Sequence, residues 1–321
     1  MKTFNTILHA LLLPLTVAAA AGCIKITPDP YVPEKYRALM FTTEGTATLS
    51  YVCRSSAPDE ETSVDLELSI DGKSWNDFPE GLRIPFGRNN LGTNDTLYVR
   101  GLNPRGLSTC RRMFRFSIGG ESDVKCSGPV MSLINWKGGD ASIPGYAFLG
   151  VFCGCRNLIE APSLPDLPYT QYCFAHMFRG CERLAAAPQI RNGHAGPWSC
   201  AYMYADCKAL VEGPDLHMDT VYENGLEGMF TGCSGLQKSG QMSFGTLSGM
   251  SLYGLFDGCP QLREVTIRGA FRFEDTPANA FRNWLRGVAG EGTLYTDHGR
   301  EQWTQGKDGV PLQWEIKPEK I

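Results

Sequence analysis

Met177-Phe178-Arg179-Gly180-Cys181-Glu182-Arg183-Leu184 is one of five copies of a motif that recur every 26 residues with no insertion or deletion. The others are Val151-Phe152-x-Gly154-Cys155-x-x-Leu158, Met203-Tyr204-x-Asp206-Cys207-x-x-Leu210, Met229-Phe230-x-Gly232-Cys233-x-x-Leu236 and Leu255-Phe256-x-Gly258-Cys259-x-x-Leu262. A fixed period of about 20–50 residues marks a solenoid, because one unit cannot bury its apolar face alone and must stack on its neighbours. Seven residues before each cysteine stand Phe148, Phe174, Cys200, Leu226 and Leu252. Nine residues after it stand Leu164, Ile190, Leu216 and Met242, and the pattern breaks at Arg268.

Apolar residues seven, four and three places before the cysteine follow the spacing of one helical face, which predicts a short helix in each unit. The glycine or aspartate just before the cysteine ends that helix, and the segment from the following leucine reads as extended. Leu262-Arg263-Glu264-Val265-Thr266-Ile267-Arg268 alternates apolar and polar at the period of a strand. The expectation is an α/β leucine-rich-repeat solenoid, with a parallel sheet plus short helices in 26-residue repeats over residues 146–269.

The paired hydrophobics, Gly-Cys, x-x-Leu and the following Ala161-Pro162 or Ala187-Pro188 resemble the BspA-like leucine-rich repeats of Bacteroidetes surface lipoproteins. The resemblance covers roughly residues 124–316. It includes Cys126-Ser127-Gly128-Pro129-Val130-Met131-Ser132-Leu133 as the segment before the first repeat. Phe281 to Val288, Gly292 to Tyr295 and Gly309 to Ile316 resemble the closing segment. It implies a protein-binding or adhesion module at the cell surface. Residues 119–145 and 270–321 are expected as the two caps that a solenoid needs over its ends.

Lys2 and the short apolar stretch Ile7 to Ala21 read as a signal peptide over residues 1–22. Ala20-Ala21-Gly22-Cys23 resembles a lipobox, with alanine where leucine is usual, and makes Cys23 the expected lipid attachment site. A lipid anchor would then hold the chain at the outer membrane. The resemblance implies the cell surface. The sparse charge after the lipid cysteine, Lys25 and Asp29, leaves the periplasmic face open as well.

Residues 23–35, rich in proline, read as a tether, and residues 36–118 as an all-β sandwich preceding the solenoid. Short alternating runs such as Ala47 to Val52 and Val64 to Ile70 are separated by turn pairs such as Asp71-Gly72. Ile70 to Trp75 resembles the hairpin found in N-terminal domains of the same surface proteins.

A net charge of −4 and a pI near 5.8 argue against a nucleic-acid partner. The five repeat cysteines, Cys155, Cys181, Cys207, Cys233 and Cys259, are expected as buried, unreactive thiols. Equivalent residues on stacked coils stay about 4.8 Å apart, too far for a disulfide that wants Cβ atoms about 3.8 Å apart. Cys53 and Cys110, both in the sandwich, leave pairing open. No zinc spacing, metalloprotease helix or nucleophile elbow appears in the sequence, so no metal, cofactor or catalytic role is expected. What remains is binding of a protein, or alternatively of a glycan in concert with an outer-membrane uptake system. The candidate contacts are Glu160, Glu212, Lys238 and Glu264 on the sheet side, and Tyr169, Tyr172, Trp198 and Tyr222 on the return loops.

Overall fold

The structure is a computed structural model that describes residues 37–57, 63–88, 95–138, 142–191 and 193–318. Cys23, the signal segment and the tether lie outside the described residues.

The N-terminal half packs two sheets. The first holds β1 (Leu39–Thr42), β3 (Leu66–Ser69), β4 (Asn76–Asp77), β6 (Thr96–Gly101), β8 (Val124–Ser127) and β9 (Leu158–Glu160), in the order β4-β3-β6-β1-β8-β9. The second is β5 (Ile84–Phe86), β2 (Ala47–Ser55) and β7 (Arg112–Gly119), in the order β5-β2-β7. Alternation in the sequence becomes alternation in space, as a strand requires. Ala47, Leu49, Tyr51 and Cys53 of β2 point inward, and Phe114 and Phe116 of β7 meet them across the pair.

The solenoid's long wall is a parallel sheet of six strands stacked in chain order. These are β10 (His194–Ala195), β11 (Leu216–Val221), β12 (Lys238–Leu247), β13 (Glu264–Arg268), β14 (Thr293–Thr296) and β15 (Glu315–Lys317). Leu216 lies beside Met242, one repeat apart. A bulge between Lys238 and Gln241 then shifts the register, so that Met242 lies beside Ile267.

The other wall corrects the α/β expectation. No helix forms there: the described residues contain a single α-helical turn, Ser132–Asn135, which lies ahead of the first repeat. The segment before each cysteine is a run of tight turns whose amide donors alternate. Met177 and Cys181 donate to carbonyls three residues back, at 3.1 and 3.0 Å. Phe178 donates instead to Met203 O of the next coil at 2.9 Å, and Gly180 to Ala205 O at 2.8 Å. A left-handed residue recurs every fourth position, for example Tyr172, His176 and Gly180, and Trp198, Tyr202 and Asp206. A positive φ at that frequency forbids an α-helix. The bonds to the next coil instead satisfy buried amides that would otherwise have no partner. The apolar spacing is thus met by turns, and both walls are hydrogen-bonded from coil to coil.

The sandwich and the solenoid share a sheet and a core. Strand β8 runs antiparallel to β1 and parallel to β9, so the sandwich sheet continues into the first coil. Strand β7 stands where a preceding coil would be: Phe116 N–H donates to Val151 O at 2.8 Å, and the Phe116 and Phe152 rings lie 5.4 Å apart. At the far end the segment expected as a cap adds a further coil. Phe256 N–H donates to Trp284 O and Gly258 N–H to Arg286 O, both at 2.8 Å.

Candidate binding surfaces

Inside the coils the cysteines form the expected ladder. Each thiol donates to a carbonyl of the preceding coil: Cys181 to Phe152 O and Cys207 to Phe178 O at 3.2 Å, Cys233 to Tyr204 O at 3.1 Å, and Cys259 to Phe230 O at 3.0 Å. Cys155 donates to Phe116 O of the sandwich at 3.5 Å. Burial pushes the Cys155 and Cys259 thiols up to about 12, and holds Cys181, Cys207 and Cys233 well above the usual thiol range. A protonated, buried thiol is a poor nucleophile. Cys53 lies in the core and Cys110 is exposed; both are thiols. Among the described residues no group of three or more His, Cys, Asp or Glu side chains is placed to hold a metal.

Alongside the thiols runs an aromatic ladder of Phe152, Phe178, Tyr204, Phe230 and Phe256, stacked at 5.4–5.6 Å. The Tyr204 hydroxyl is buried in this stack without a hydrogen-bond partner.

The sheet-side candidates fall into a register row. Glu212 bridges to Lys238, which pairs with Glu264 on the next strand, and Lys238 Nζ lies 3.3 Å from Glu264 Oε1. Alternating signs across adjacent strands neutralise one another. Glu160 stands apart, on β9 beside Lys125 of β8.

The loop aromatics separate into three kinds. Tyr169 is only 3% exposed and packs edge-on against Phe174 at 4.7 Å, so it belongs to the core and not to a contact surface. Tyr222 is 48% exposed and follows β11. Tyr172 and Trp198 are half-buried and stack at 5.3 Å with their planes 4° apart.

Three members of this surface were missed. Tyr146 extends the stack, 4.9 Å from Tyr172. A parallel pair, His176 on Tyr202 at 5.3 Å, lies four residues further along the same turns. Tyr202 donates its hydroxyl to Glu227 Oε1 at 2.8 Å. Burial, and then the Arg179 guanidinium, push the His176 imidazole below its ordinary range. The available signal was the repeat register itself: Tyr146, Tyr172 and Trp198 each stand nine residues before a ladder cysteine, and His176 and Tyr202 five before.

Trp75 does not offer an open ring face on both sides. The Arg100 guanidinium is clamped between Trp75 and Trp136, 3.8 and 3.5 Å from their ring centroids, and Arg100 Nε also contacts Glu67 Oε2 at 2.5 Å. Concavities lie elsewhere among the described residues. One of about 630 Å³ at the junction of sandwich and first coil is lined by mixed charges including Glu44, Arg88, Asp123 and Lys125. One of about 400 Å³ lies in the closing segment and is ring-lined.

Against protein-family models, curated proteins and solved structures, the chain gives no match. Among the described residues no helix is long and apolar enough to cross a membrane.

Proposed function

We propose that this chain is a non-enzymatic cell-envelope lipoprotein, anchored through Cys23 at the outer membrane, whose solenoid presents a surface for protein binding or adhesion. The BspA-like resemblance of the repeats supports that reading at the level of sequence. The observation that carries it is the set of half-buried aromatic residues held in left-handed backbone on the turn wall of the first coils. Five residues before the cysteine, the fourth and fifth repeats use Gly228 and Gly254, whereas the second and third use His176 and Tyr202. Glycine meets that geometry without steric cost, while a side chain there costs about 1–2 kcal/mol. Non-glycine residues in such strained positions concentrate at functional sites.

Tyr172 is stacked on both faces, by Tyr146 and Trp198, and all three rings are half-buried, so each keeps part of its surface exposed. Rigid rings with a polar edge suit a protein partner. The test is capture of host-matrix proteins by the full chain beside a glycan array. Trp198→Ala, Tyr222→Ala and Glu212→Lys are expected to weaken a captured protein about tenfold or more while the circular dichroism spectrum stays unchanged. Unaltered binding in all three would remove this surface as the site.

A second reading, a surface glycan-binding lipoprotein working with an outer-membrane uptake system, is favoured by the ring-lined cavity of the closing segment.

A further inference from the structure

We infer that the cavity in the C-terminal closing coil is a binding site for a neutral sugar ring, lined by the half-buried Phe273 and Phe281 and the buried Trp284 and Trp303, with Arg282 and Asp308 as its polar rim. This inference rests on the second reading above. A plug that merely closed the solenoid would need apolar side chains and no hollow. Here the closing segment leaves a cavity of about 400 Å³ between Phe273, Phe281, Trp284 and Trp303. That volume lies at the lower end of the range of small-molecule sites, about 300–1,000 Å³.

The hydrogen-bond inventory points the same way. Trp314 in the same segment donates its indole N–H to Ala289 O at 2.8 Å. Trp303 is only 5% exposed, yet its indole N–H has no hydrogen-bond partner, and the side-chain amide nitrogen of Gln305 is buried in the same condition. Buried indole N–H groups ordinarily find an acceptor. Trp303 also lines an adjoining open cavity of about 480 Å³, together with Gln305, Arg300 and Glu301.

Each hollow therefore carries one cation and one anion at its rim, which gives no net preference for a charged ligand. Ring surfaces for C–H groups, the Thr304 hydroxyl, and a donor at Arg282 with an acceptor at Asp308 match the chemistry of a pyranose.

The experiment is a titration of the full chain, with tryptophan indoles labelled by nitrogen-15, against glucose, galactose, mannose, xylose and N-acetylglucosamine, with glucuronate and inorganic phosphate as anionic probes. Trp303→Phe assigns the Trp303 indole signal among the six tryptophans. The expected result is a saturable shift of that signal with at least one neutral sugar. Arg282→Ala and Asp308→Ala, both at exposed side chains, should weaken it about tenfold or more, while Trp198→Ala leaves it unchanged. No shift with any neutral sugar, a shift with the anionic probes alone, or titration curves unaltered in both rim variants would overturn the proposal. Loss of protein capture in Trp198→Ala with sugar binding intact would show that the two surfaces stand or fall separately.

Discussion

At the scale of single residues, the ladder thiols tie stability to pH. Burial raises their folded pKa values, to about 12 for Cys155 and Cys259 and well above the usual thiol range for the other three, whereas an unfolded thiol ionises at about 8.5. The stabilising contribution is thus complete below about pH 8. It is lost as pH rises through the window up to about 12, because only the unfolded chain releases protons there, at about 1.4 kcal/mol per pH unit for each thiol. Urea midpoints should hold level at neutral pH and fall steeply above about pH 9; a midpoint flat to about pH 10.5 would contradict the buried ladder. The Tyr204 hydroxyl gives an opposite kind of handle. It sits between the Phe178 and Phe230 rings with no hydrogen-bond partner, and removing an unsatisfied buried polar group returns about 1–3 kcal/mol. Tyr204→Phe should therefore raise the melting temperature, and a lowered one would mean that the hydroxyl is bonded.

At the scale of the element, each coil depends on its left-handed turn positions and on its buried leucine. Gly180 has φ 72°, and a methyl group added there would come no closer than 3.7 Å to any neighbour, so Gly180→Ala meets backbone strain alone. That strain should cost about 1–2 kcal/mol. Leu210, fully buried, should cost about 2–5 kcal/mol on change to alanine, because the stacked coils above and below cannot collapse onto the cavity. Both are read by denaturant unfolding. The thiols report on the same packing. Alkylation of the native protein followed by mass spectrometry should mark exposed Cys110 and spare Cys155, Cys181, Cys207, Cys233 and Cys259, and all of these should be marked in denaturant. The repeat period, the sheet strands and the thiol ladder were legible because a 26-residue register and two-residue alternation translate directly into stacking and facing. The turn wall was misread because apolar residues three and four apart suit a helix and a chain of tight turns equally. What separated them was the left-handed residue every fourth position, visible as Gly150 and Gly154 or Gly228 and Gly232 but masked where His176, Tyr202 or Asp206 takes the place. Tyr169 was misplaced for a related reason: loop position alone does not tell a residue that plugs the core from one that faces outward.

At the scale of the whole molecule, the sandwich is the template on which the solenoid is built. Strand β8 pairs with both, Phe116 begins the carbonyl ladder that accepts the first cysteine, and the aromatic column continues from Phe116 into Phe152. None of this was legible in the sequence, where the composition changes near residue 118 as if one unit ended and another began. Heating the described unit should therefore give one cooperative transition, and two separated transitions would show that sandwich and repeats fold apart. The central claim is that the wall opposite the sheet is bonded from coil to coil instead of within a helix. It is tested most directly by scalar couplings across hydrogen bonds, recorded on the isotope-labelled chain for the Phe178 amide. The account predicts a coupling to the carbonyl carbon of Met203, in the following coil. A coupling to Phe174, four residues back in the same coil, would restore the helix and contradict it.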